Sequence, residues 1–181
     1  MTQYFDTHAH YDSGKFNADR EEVLQIMSTL HPVSGRFEFV RAADGTTAIV
    51  DYAHTPDALE KVLQTVEEIR RPGQQLFVLC GCGGDRDRGK RPKMGRIAGQ
   101  KADFVIVTSD NPRTEDPEAI IADILPGLKE THTPYVVRPD RREAIAYAIE
   151  NHCPGDVIIL CGKGHEDYQI IGKTKVHMDE R

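Results

Sequence analysis

The stretch LFVLCGCGGDRDRGKRPKMGRIAGQKADFVIVTSDNPR, residues 76–113, contains two short apolar runs separated by a helical pattern. The runs, 76–80 and 104–108, are rich in β-branched and aromatic residues and have the length of buried strands. The intervening residues 91–102 predict a helix, although Gly95 and Gly99 lower its intrinsic propensity. A strand, a helix and a second strand in this order are typical of parallel sheets, so the segment predicts an α/β fold.

The same alternation continues on both sides of this segment. Further strand candidates are 37–41, 47–51, 135–137 and 157–160, and Asp44-Gly45 indicates a hairpin between the first two. Side chains suited to helix capping precede three helical patterns, at Thr55, Asp116 and Asp140. These features predict a Rossmann-like, mostly parallel sheet of about six strands, with helices on both faces and one antiparallel edge hairpin.

The composition is that of a globular protein without a nucleic-acid partner. The 181 residues carry a formal net charge of -6, with 29 acidic and 23 basic side chains, whereas a nucleic-acid-binding face would be basic. No apolar run approaches the ~20 residues that span a bilayer, and the first residues lack the apolar core of a signal peptide. We therefore expect no membrane partner, a cytoplasmic location, and four reduced cysteines that are mostly buried.

Polar and glycine-rich segments follow four of the predicted strands. They are residues 51–56, 81–87, 109–113 and 162–167. Because the carboxyl ends of parallel strands meet at one edge of an open sheet, ligands bind at that edge. The sequence therefore predicts that these four loops together form a binding site.

The residue types in these loops suit a ligand with both amine and carboxylate groups. Arg86 and Arg113 carry planar guanidinium groups that can bond both oxygens of a carboxylate. Asp110 and Asn111 can accept hydrogen bonds from an ammonium group, with Glu166 as a further acceptor. Residue 112 is a proline that stiffens this loop. The loops therefore predict an amino-acid pocket.

A phosphate-binding P-loop is not expected, although residues 84–90 have the spacing G-x-x-x-x-G-K after a strand. The next residue is Arg91, where a P-loop needs Ser or Thr to hold magnesium, and Asp85 and Asp87 place carboxylates where backbone amides should face phosphate.

The motifs at 35–38, 51–57, 81–92, 110–113 and 162–169 resemble the C-terminal domain of Mur ligases, in order and at natural spacing from about residue 28 to 181. The resemblance divides the chain into an irregular segment, 1–27, and this domain, 28–181. It implies part of an ATP-dependent amide ligase that adds meso-diaminopimelate to a UDP-muramoyl dipeptide in peptidoglycan synthesis.

The resemblance also implies roles for individual residues. The residues implied to hold meso-diaminopimelate are Arg86, Asp110, Asn111, Pro112, Arg113, Gly162 and Glu166. Arg36 and Asp51, with His54 less clearly, would lie toward the nucleotide. In Mur ligases ATP and Mg²⁺ are bound by the central domain, so we expect this chain to bind neither by itself and to be inactive in isolation. Its partners would be these small molecules and the remaining domains.

Two alternative functions stay open at this point. Residues 5–12, FDTHAHYD, resemble the first strand of TatD-like metal-dependent hydrolases, in which a His-x-His pair binds metal. His8 and His10 lie two residues apart and would share one face of a strand. A chain of 181 residues is too short for the roughly 250-residue barrel of such hydrolases together with the domain above. The second alternative is a non-catalytic interaction module.

Overall fold

The computed structural model describes residues 33–180, which contain eight strands and four helices. The strands are β1 (Glu38–Arg41), β2 (Thr47–Asp51), β3 (Leu76–Cys80), β4 (Phe104–Val107), β5 (Tyr135–Val137), β6 (Val157–Cys161), β7 (Tyr168–Ile171) and β8 (Thr174–His177). The helices are α1 (Pro56–Ile69), α2 (Arg91–Lys101), α3 (Pro117–Lys129) and α4 (Arg141–Asn151).

A six-stranded sheet with the order β1-β2-β6-β3-β4-β5 forms the centre of the fold. All its pairings are parallel except that of β1 with β2 at one edge. The turn between these two strands contains Gly45, whose φ of 88° is accessible to glycine and strained for other residues. The predicted mixed sheet with an antiparallel edge hairpin is therefore confirmed.

Helices cover both faces of the sheet, as the sequence predicted. Alternate residues of the strands, such as Val78, Val105 and Ile159, form one apolar cluster with α1, α2 and α3. The residues that point the other way, such as Leu79 and Leu160, pack with α4 in a second cluster. The central strands β3 and β6 are buried along their whole length because both of their faces are covered.

Helix capping follows the predicted pattern. The side chain of Thr55 accepts a hydrogen bond from Ala58 N, and those of Asp116 and Asp140 accept backbone bonds at the starts of α3 and α4. Each cap satisfies a backbone N–H that the helix itself cannot pair. The caps therefore fix the residues at which these three helices begin.

The glycines of α2, which weakened the helix prediction, are explained by its contact with α3. A Cβ atom at Gly95 would lie 2.3 Å from the carbonyl oxygen of Ile124, and one at Gly127 of α3 would lie 1.8 Å from that of Pro92. Only glycine permits the two helix backbones to approach this closely. The loss of helix propensity is thus offset by close packing that the sequence pattern does not reveal.

Two predictions about strands need correction. The first strand begins at Glu38 and not at Phe37, because Phe37 has a φ of 48°, outside the extended region. The antiparallel hairpin of β7 and β8 was not predicted. Its signal was present, since a two-residue loop beginning with Gly172 separates two runs of β-forming residues.

Three of the four cysteines, Cys80, Cys82 and Cys161, are buried, and Cys153 is exposed; all four are free thiols, as predicted. We refer to the first three as the buried thiols. Burial raises the pKa of Cys80 and of Cys82 to about 12. They are thus apolar packing groups and not nucleophiles.

In the part of the chain that the structure describes, no helix is long and apolar enough to cross a membrane. Residues 34–181 form one compact unit. A sequence pattern at 21–30 that predicts a short helix, the segment 1–27 and the His8–His10 pair all lie outside the described residues.

Candidate functional site

The four polar loops meet at the carboxyl edge of the sheet, where they surround a cavity of about 480 Å³. Its lining includes most of the predicted site residues, namely His54, Arg86, Asp110, Asn111, Arg113, Gly162 and Glu166. Lys90 and Lys93, which follow the second loop, also line it. We call this cavity the edge pocket. The structure thus brings together residues that are up to 112 positions apart, from His54 to Glu166.

Asp110 lines the edge pocket and has one buried carboxylate oxygen. The residue is 7% exposed, and its Oδ1 atom has no hydrogen-bond donor among residues 33–180. The ammonium group of Lys163 lies 3.6 Å from this oxygen, close enough for an ion pair but beyond a hydrogen bond. A buried acceptor without a donor is costly in a folded protein, and the nearby ammonium charge of Lys163 offsets part of this cost.

Asn111, Lys163 and Glu166 form a hydrogen-bonded network at the base of the edge pocket. The ammonium group of Lys163 donates to Asn111 Oδ1 at 3.1 Å and to Glu166 Oε2 at 3.0 Å. Asn111 Nδ2 donates to the same Glu166 oxygen at 2.9 Å, and Asn111 Oδ1 also accepts from Ile170 N. Both ends of the Asn111 amide therefore bond to protein groups, and its direct contact with a ligand stays a prediction.

Glu166 remains ionised despite its partial burial. Burial alone would raise its pKa, but the hydrogen bonds from Asn111 and Lys163 and the nearby ammonium charge outweigh burial, so the pKa is lowered. The carboxylate therefore contributes a negative charge to the edge pocket at neutral pH.

Arg113 is held in an unusual backbone conformation beside the β7–β8 hairpin. Its φ is 53°, and its backbone N–H and C=O bond to Ile170 O and Gly172 N. The guanidinium Nη1 donates to the carbonyl oxygens of Gly84 and Asn111 at 2.9 and 3.3 Å. The hairpin thus fixes the position from which the Arg113 side chain enters the edge pocket.

Glycines bring the loop of Arg86 against the loop of Arg113. A Cβ atom at Gly83 would lie 2.8 Å from Arg113 Nη1, and one at Gly84 would lie 1.9 Å from the carbonyl oxygen of Pro112. Gly84 N also donates to Asn111 O at 2.9 Å. Arg86 itself is exposed, and its Nη1 donates to the carbonyl oxygen of Asp85. The two arginines are therefore carried by loops whose backbones are in contact.

A buried ion pair behind these loops fixes them to α2. The side chain of Arg91 is 1% exposed and donates to both carboxylate oxygens of Glu115 and to Asp123. Glu115 also accepts a bond from Asp85 N. Its bonds to Arg91, with that from Asp85, lower the pKa of Glu115 from 4.5 to about 2. The pair therefore stays ionised at neutral pH.

A second buried arginine, Arg141, connects the other two loops. Its guanidinium donates to the carbonyl oxygens of Ser109 and Cys161, which directly precede Asp110 and Gly162. It also pairs with Glu180, and neither side chain of this pair is exposed. Arg141 thereby links the ends of β4 and β6 beneath the edge pocket.

Of the residues predicted to lie toward a nucleotide, His54 lines the edge pocket, whereas Asp51 and Arg36 do not. Asp51 is buried, and its carboxylate accepts backbone bonds from Phe37 and Ala53, so it holds the local chain together. The guanidinium of Arg36 lies 4.7 Å from the ring centroid of Tyr52, which also contacts the ring of His54. A nucleotide role for these residues is not tested by this geometry and stays a prediction.

Sequence reasoning missed the three buried cations, Arg91, Arg141 and Lys163. Charged residues are rarely buried unless they are paired, so the composition of the loops gave no reason to place them inside. The position of these residues in the sequence could have indicated their burial. Each stands next to a predicted turn or helix cap at the carboxyl edge, where backbone carbonyls and carboxylates collect.

A metal centre is not evident in the described part of the chain. Among residues 33–180, no group of three or more His, Cys, Asp or Glu side chains is placed to hold a metal ion.

Comparison with known proteins identifies relatives of this chain. The family described as "Mur ligase, glutamate ligase domain" matches residues 35–164. Two curated relatives share the name UDP-N-acetylmuramoyl-L-alanyl-D-glutamate--2,6-diaminopimelate ligase. The protein from Listeria monocytogenes is 48% identical over 161 residues, which are 89% of this chain and 32% of the relative. The protein from Synechococcus elongatus is 53% identical over 164 residues, again 89% of this chain and 32% of the relative.

Solved structures lead to the same group of proteins. A structure of a UDP-N-acetylmuramoyl-L-alanyl-D-glutamate--2,6-diaminopimelate ligase superimposes with a TM-score of 0.75 and 44% identity, over 89% of this chain and 32% of that protein. The UDP-N-acetylmuramate-alanine ligase of Thermotoga maritima has a TM-score of 0.58 at 21% identity, over 85% of this chain and 32% of that protein, and so shares the fold. The chain spans about a third of the length of the curated relatives it matches.

Proposed function

This chain belongs to the Mur ligase family, whose glutamate ligase domain it matches over residues 35–164, and we propose that it is the amino-acid-binding C-terminal domain of a diaminopimelate-adding ligase. The complete enzyme would join meso-diaminopimelate to UDP-N-acetylmuramoyl-L-alanyl-D-glutamate with ATP, in peptidoglycan synthesis. Relatives named for this activity are 48% and 53% identical to the chain. Together with the edge pocket, they support the proposal.

The observation that carries the proposal is the meeting of opposite charges in one pocket. Asp110 and Glu166 line it together with Arg86 and Arg113. A ligand end with one ammonium and one carboxylate can bind both kinds of group at once, with the guanidinium groups bonding the carboxylate oxygens. meso-Diaminopimelate has such an end at each side. L-Lysine has such an end only at its α-carbon, so the orientation that leaves its α-amine free to react would leave the arginines without a carboxylate partner.

In this proposal the domain binds and orients the amino acid. One end of meso-diaminopimelate is held by the charges of the edge pocket, and the amine at its other end is left to form the amide bond with the dipeptide carboxylate. Holding a reactant in a fixed orientation contributes to the rate because the entropy of alignment is lost on binding and not in the transition state.

The loop 84–90 does not have the arrangement of a phosphate-binding loop. Three of its backbone N–H groups bond to protein oxygens: Gly84 N to Asn111 O, Asp85 N to Glu115 and Gly89 N to Asp87. These amides are therefore not arranged around a phosphate, as those of a P-loop are. We propose that ATP and Mg²⁺ bind elsewhere in the complete enzyme. The inactivity of the isolated chain and its cytoplasmic location remain predictions.

The alternative functions receive no support from the relatives. The His8–His10 pair, on which a metal-dependent hydrolase would depend, lies outside the described residues. An interaction module without ligand binding would not require the opposite charges that line the edge pocket.

The test is a titration of the ¹⁵N-labelled chain with meso-diaminopimelate and with L-lysine, followed by NMR. We expect meso-diaminopimelate to shift the amide signals of the four loops and to bind at least about tenfold more tightly than L-lysine, since a charge-assisted hydrogen bond contributes about 1.5–3 kcal/mol. Arg86→Ala should reduce this preference. Arg71→Ala, an exposed residue outside the edge pocket, is the matched control. Equal affinity for the two amino acids, or signal shifts away from these loops, would contradict the proposal.

A further inference from the structure

Lys163 is a buried charged residue that lies behind the lining of the edge pocket and is not in contact with the cavity itself. Its side chain is 0% exposed, and its ammonium lies 3.0 Å from Glu166, 3.1 Å from Asn111 and 3.6 Å from Asp110. The ring centroid of Tyr168 is 5.6 Å from the same atom. The ammonium group of Lys163 thus lies directly behind two acidic groups of the edge pocket, Asp110 and Glu166.

This cation changes the charge that a ligand meets. Lys163 pairs with two of the carboxylates that line the edge pocket, Asp110 and Glu166, so the three groups together carry a charge of -1 where the two carboxylates alone would carry -2. The charge of Lys163 acts over a few ångströms through protein and not through water, because its side chain is buried. Its effect on a bound ion is therefore much larger than that of an exposed lysine.

Candidate ligands differ in how they respond to such a charge. meso-Diaminopimelate carries two ammonium and two carboxylate groups and has no net charge near neutral pH. L-Lysine lacks one carboxylate and has a net charge of one positive unit. A fixed cation in the pocket wall repels the second ligand more than the first, since the two differ by one unit of charge.

We propose that Lys163 is a specificity-determining residue, whose buried charge makes the edge pocket favour an amino acid with a carboxylate at its distal end over an alkylammonium. The inference rests on the proposed function and goes beyond the groups predicted to touch the ligand. Arg86 and Arg113 attract the distal carboxylate, and Lys163 acts against ligands that lack it. Specificity then has an attractive and a repulsive component.

A purely structural role for Lys163 has a different consequence. If Lys163 only holds the loop of Glu166 against that of Asn111, its loss would weaken the binding of both ligands by a similar factor. If the charge of Lys163 selects the ligand, its loss would weaken the binding of meso-diaminopimelate relative to that of L-lysine. The ratio of the two dissociation constants therefore separates the two roles, whatever happens to each constant alone.

The experiment measures this ratio in the 181-residue chain and in two variants. Lys163→Met removes the charge and the hydrogen bonds, whereas Lys163→Gln removes the charge and keeps a donor for Asn111 and Glu166. Lys173→Met, at the exposed turn between β7 and β8, is the matched control. Each protein is titrated with meso-diaminopimelate and L-lysine by NMR, which also detects millimolar affinities, and its folding is checked by circular dichroism.

We expect the preference for meso-diaminopimelate to fall roughly tenfold in both Lys163 variants, as one buried charge a few ångströms away implies, and to stay unchanged in Lys173→Met. If Lys163→Met does not fold, the proposal still requires the same tenfold decrease in preference, roughly, in Lys163→Gln. An unchanged ratio in a variant that still binds would overturn the role of Lys163 and leave the proposed function intact. A wild-type chain that binds neither amino acid would overturn the proposed function and this inference with it.

Discussion

Substitution of Gly84 by alanine is a direct test of the contact between the two arginine-bearing loops. The new Cβ would lie 1.9 Å from the carbonyl oxygen of Pro112, whereas ordinary contacts are 3.4–4 Å. The loops would have to separate by at least about 1.5 Å, the difference between these distances. The obstacle is backbone on both sides, so a change of side-chain rotamer cannot relieve it.

The expected cost of this substitution has two parts. Overpacking in a well-packed site costs about 1–3 kcal/mol. The hydrogen bond from Gly84 N to Asn111 O, 2.9 Å long, would be weakened by the separation, which adds about 1 kcal/mol. We therefore expect Gly84→Ala to lower the free energy of unfolding by about 2–4 kcal/mol. A displacement of this size should also reduce the affinity for meso-diaminopimelate by tenfold or more, roughly.

Urea unfolding followed by circular dichroism measures the stability, and the NMR titration measures the affinity. Gly89→Ala is the matched control in the same loop, since its Cβ would meet only the end of the exposed Asp87 side chain, at 3.2 Å. We expect that control to lie within about 0.5 kcal/mol of the wild type. The reasoning fails if Gly84→Ala is as stable as Gly89→Ala.

Three further predictions concern groups outside direct ligand contact. Arg141→Met should lower the free energy of unfolding in urea by about 3–5 kcal/mol, because it leaves the carboxylate of Glu180 buried without its partner. Arg142→Met, at an exposed neighbouring residue, is the control and should lower it by less than about 1 kcal/mol. Equal losses of stability in the two variants would contradict this account. The lowered pKa of Glu115 stabilises the folded state fully above pH 4.5, and this contribution should be lost as the pH falls toward 2. Urea unfolding at a series of pH values should therefore show a smaller decrease below pH 4.5 in Glu115→Gln, and an unchanged decrease would refute the assignment. Finally, Cys153 should react rapidly with a thiol reagent, and the buried thiols should react only after unfolding. Rapid reaction of a second cysteine in the folded chain would contradict the observed burial.

Much of the fold was predictable because its causes are local. The apolar runs of β3 and β4 and the capping residues before α1, α3 and α4 act within a few positions, and each element predicted within residues 33–180 is present. The β7–β8 hairpin was not predicted, although its turn is also local. Phe37 was assigned to a strand because its side chain favours strands, but the bond from its N–H to Asp51 holds it in a turn.

The candidate site was predictable in part for a topological reason. In a parallel sheet every strand ends at the same edge, so polar residues after the strands must lie near one another whatever their separation in sequence. That argument placed Arg86, Arg113 and Glu166 in one region, and all three line the edge pocket. It could not say which of the polar groups bond to the protein and which are left for a ligand.

The sequence by itself determined the order of strands and helices, the caps and the edge at which the polar loops collect, since these depend on neighbouring residues and on topology. The tertiary structure decided how charge is distributed at that edge. Lys163 and Arg141 are buried, and Asn111 bonds to protein groups at both ends of its amide, while Asp110 retains an oxygen without a hydrogen-bond donor among the described residues. The physical reason is that burial and hydrogen bonding of a charged group depend on atoms brought together from distant parts of the chain, and no sequence period records those contacts.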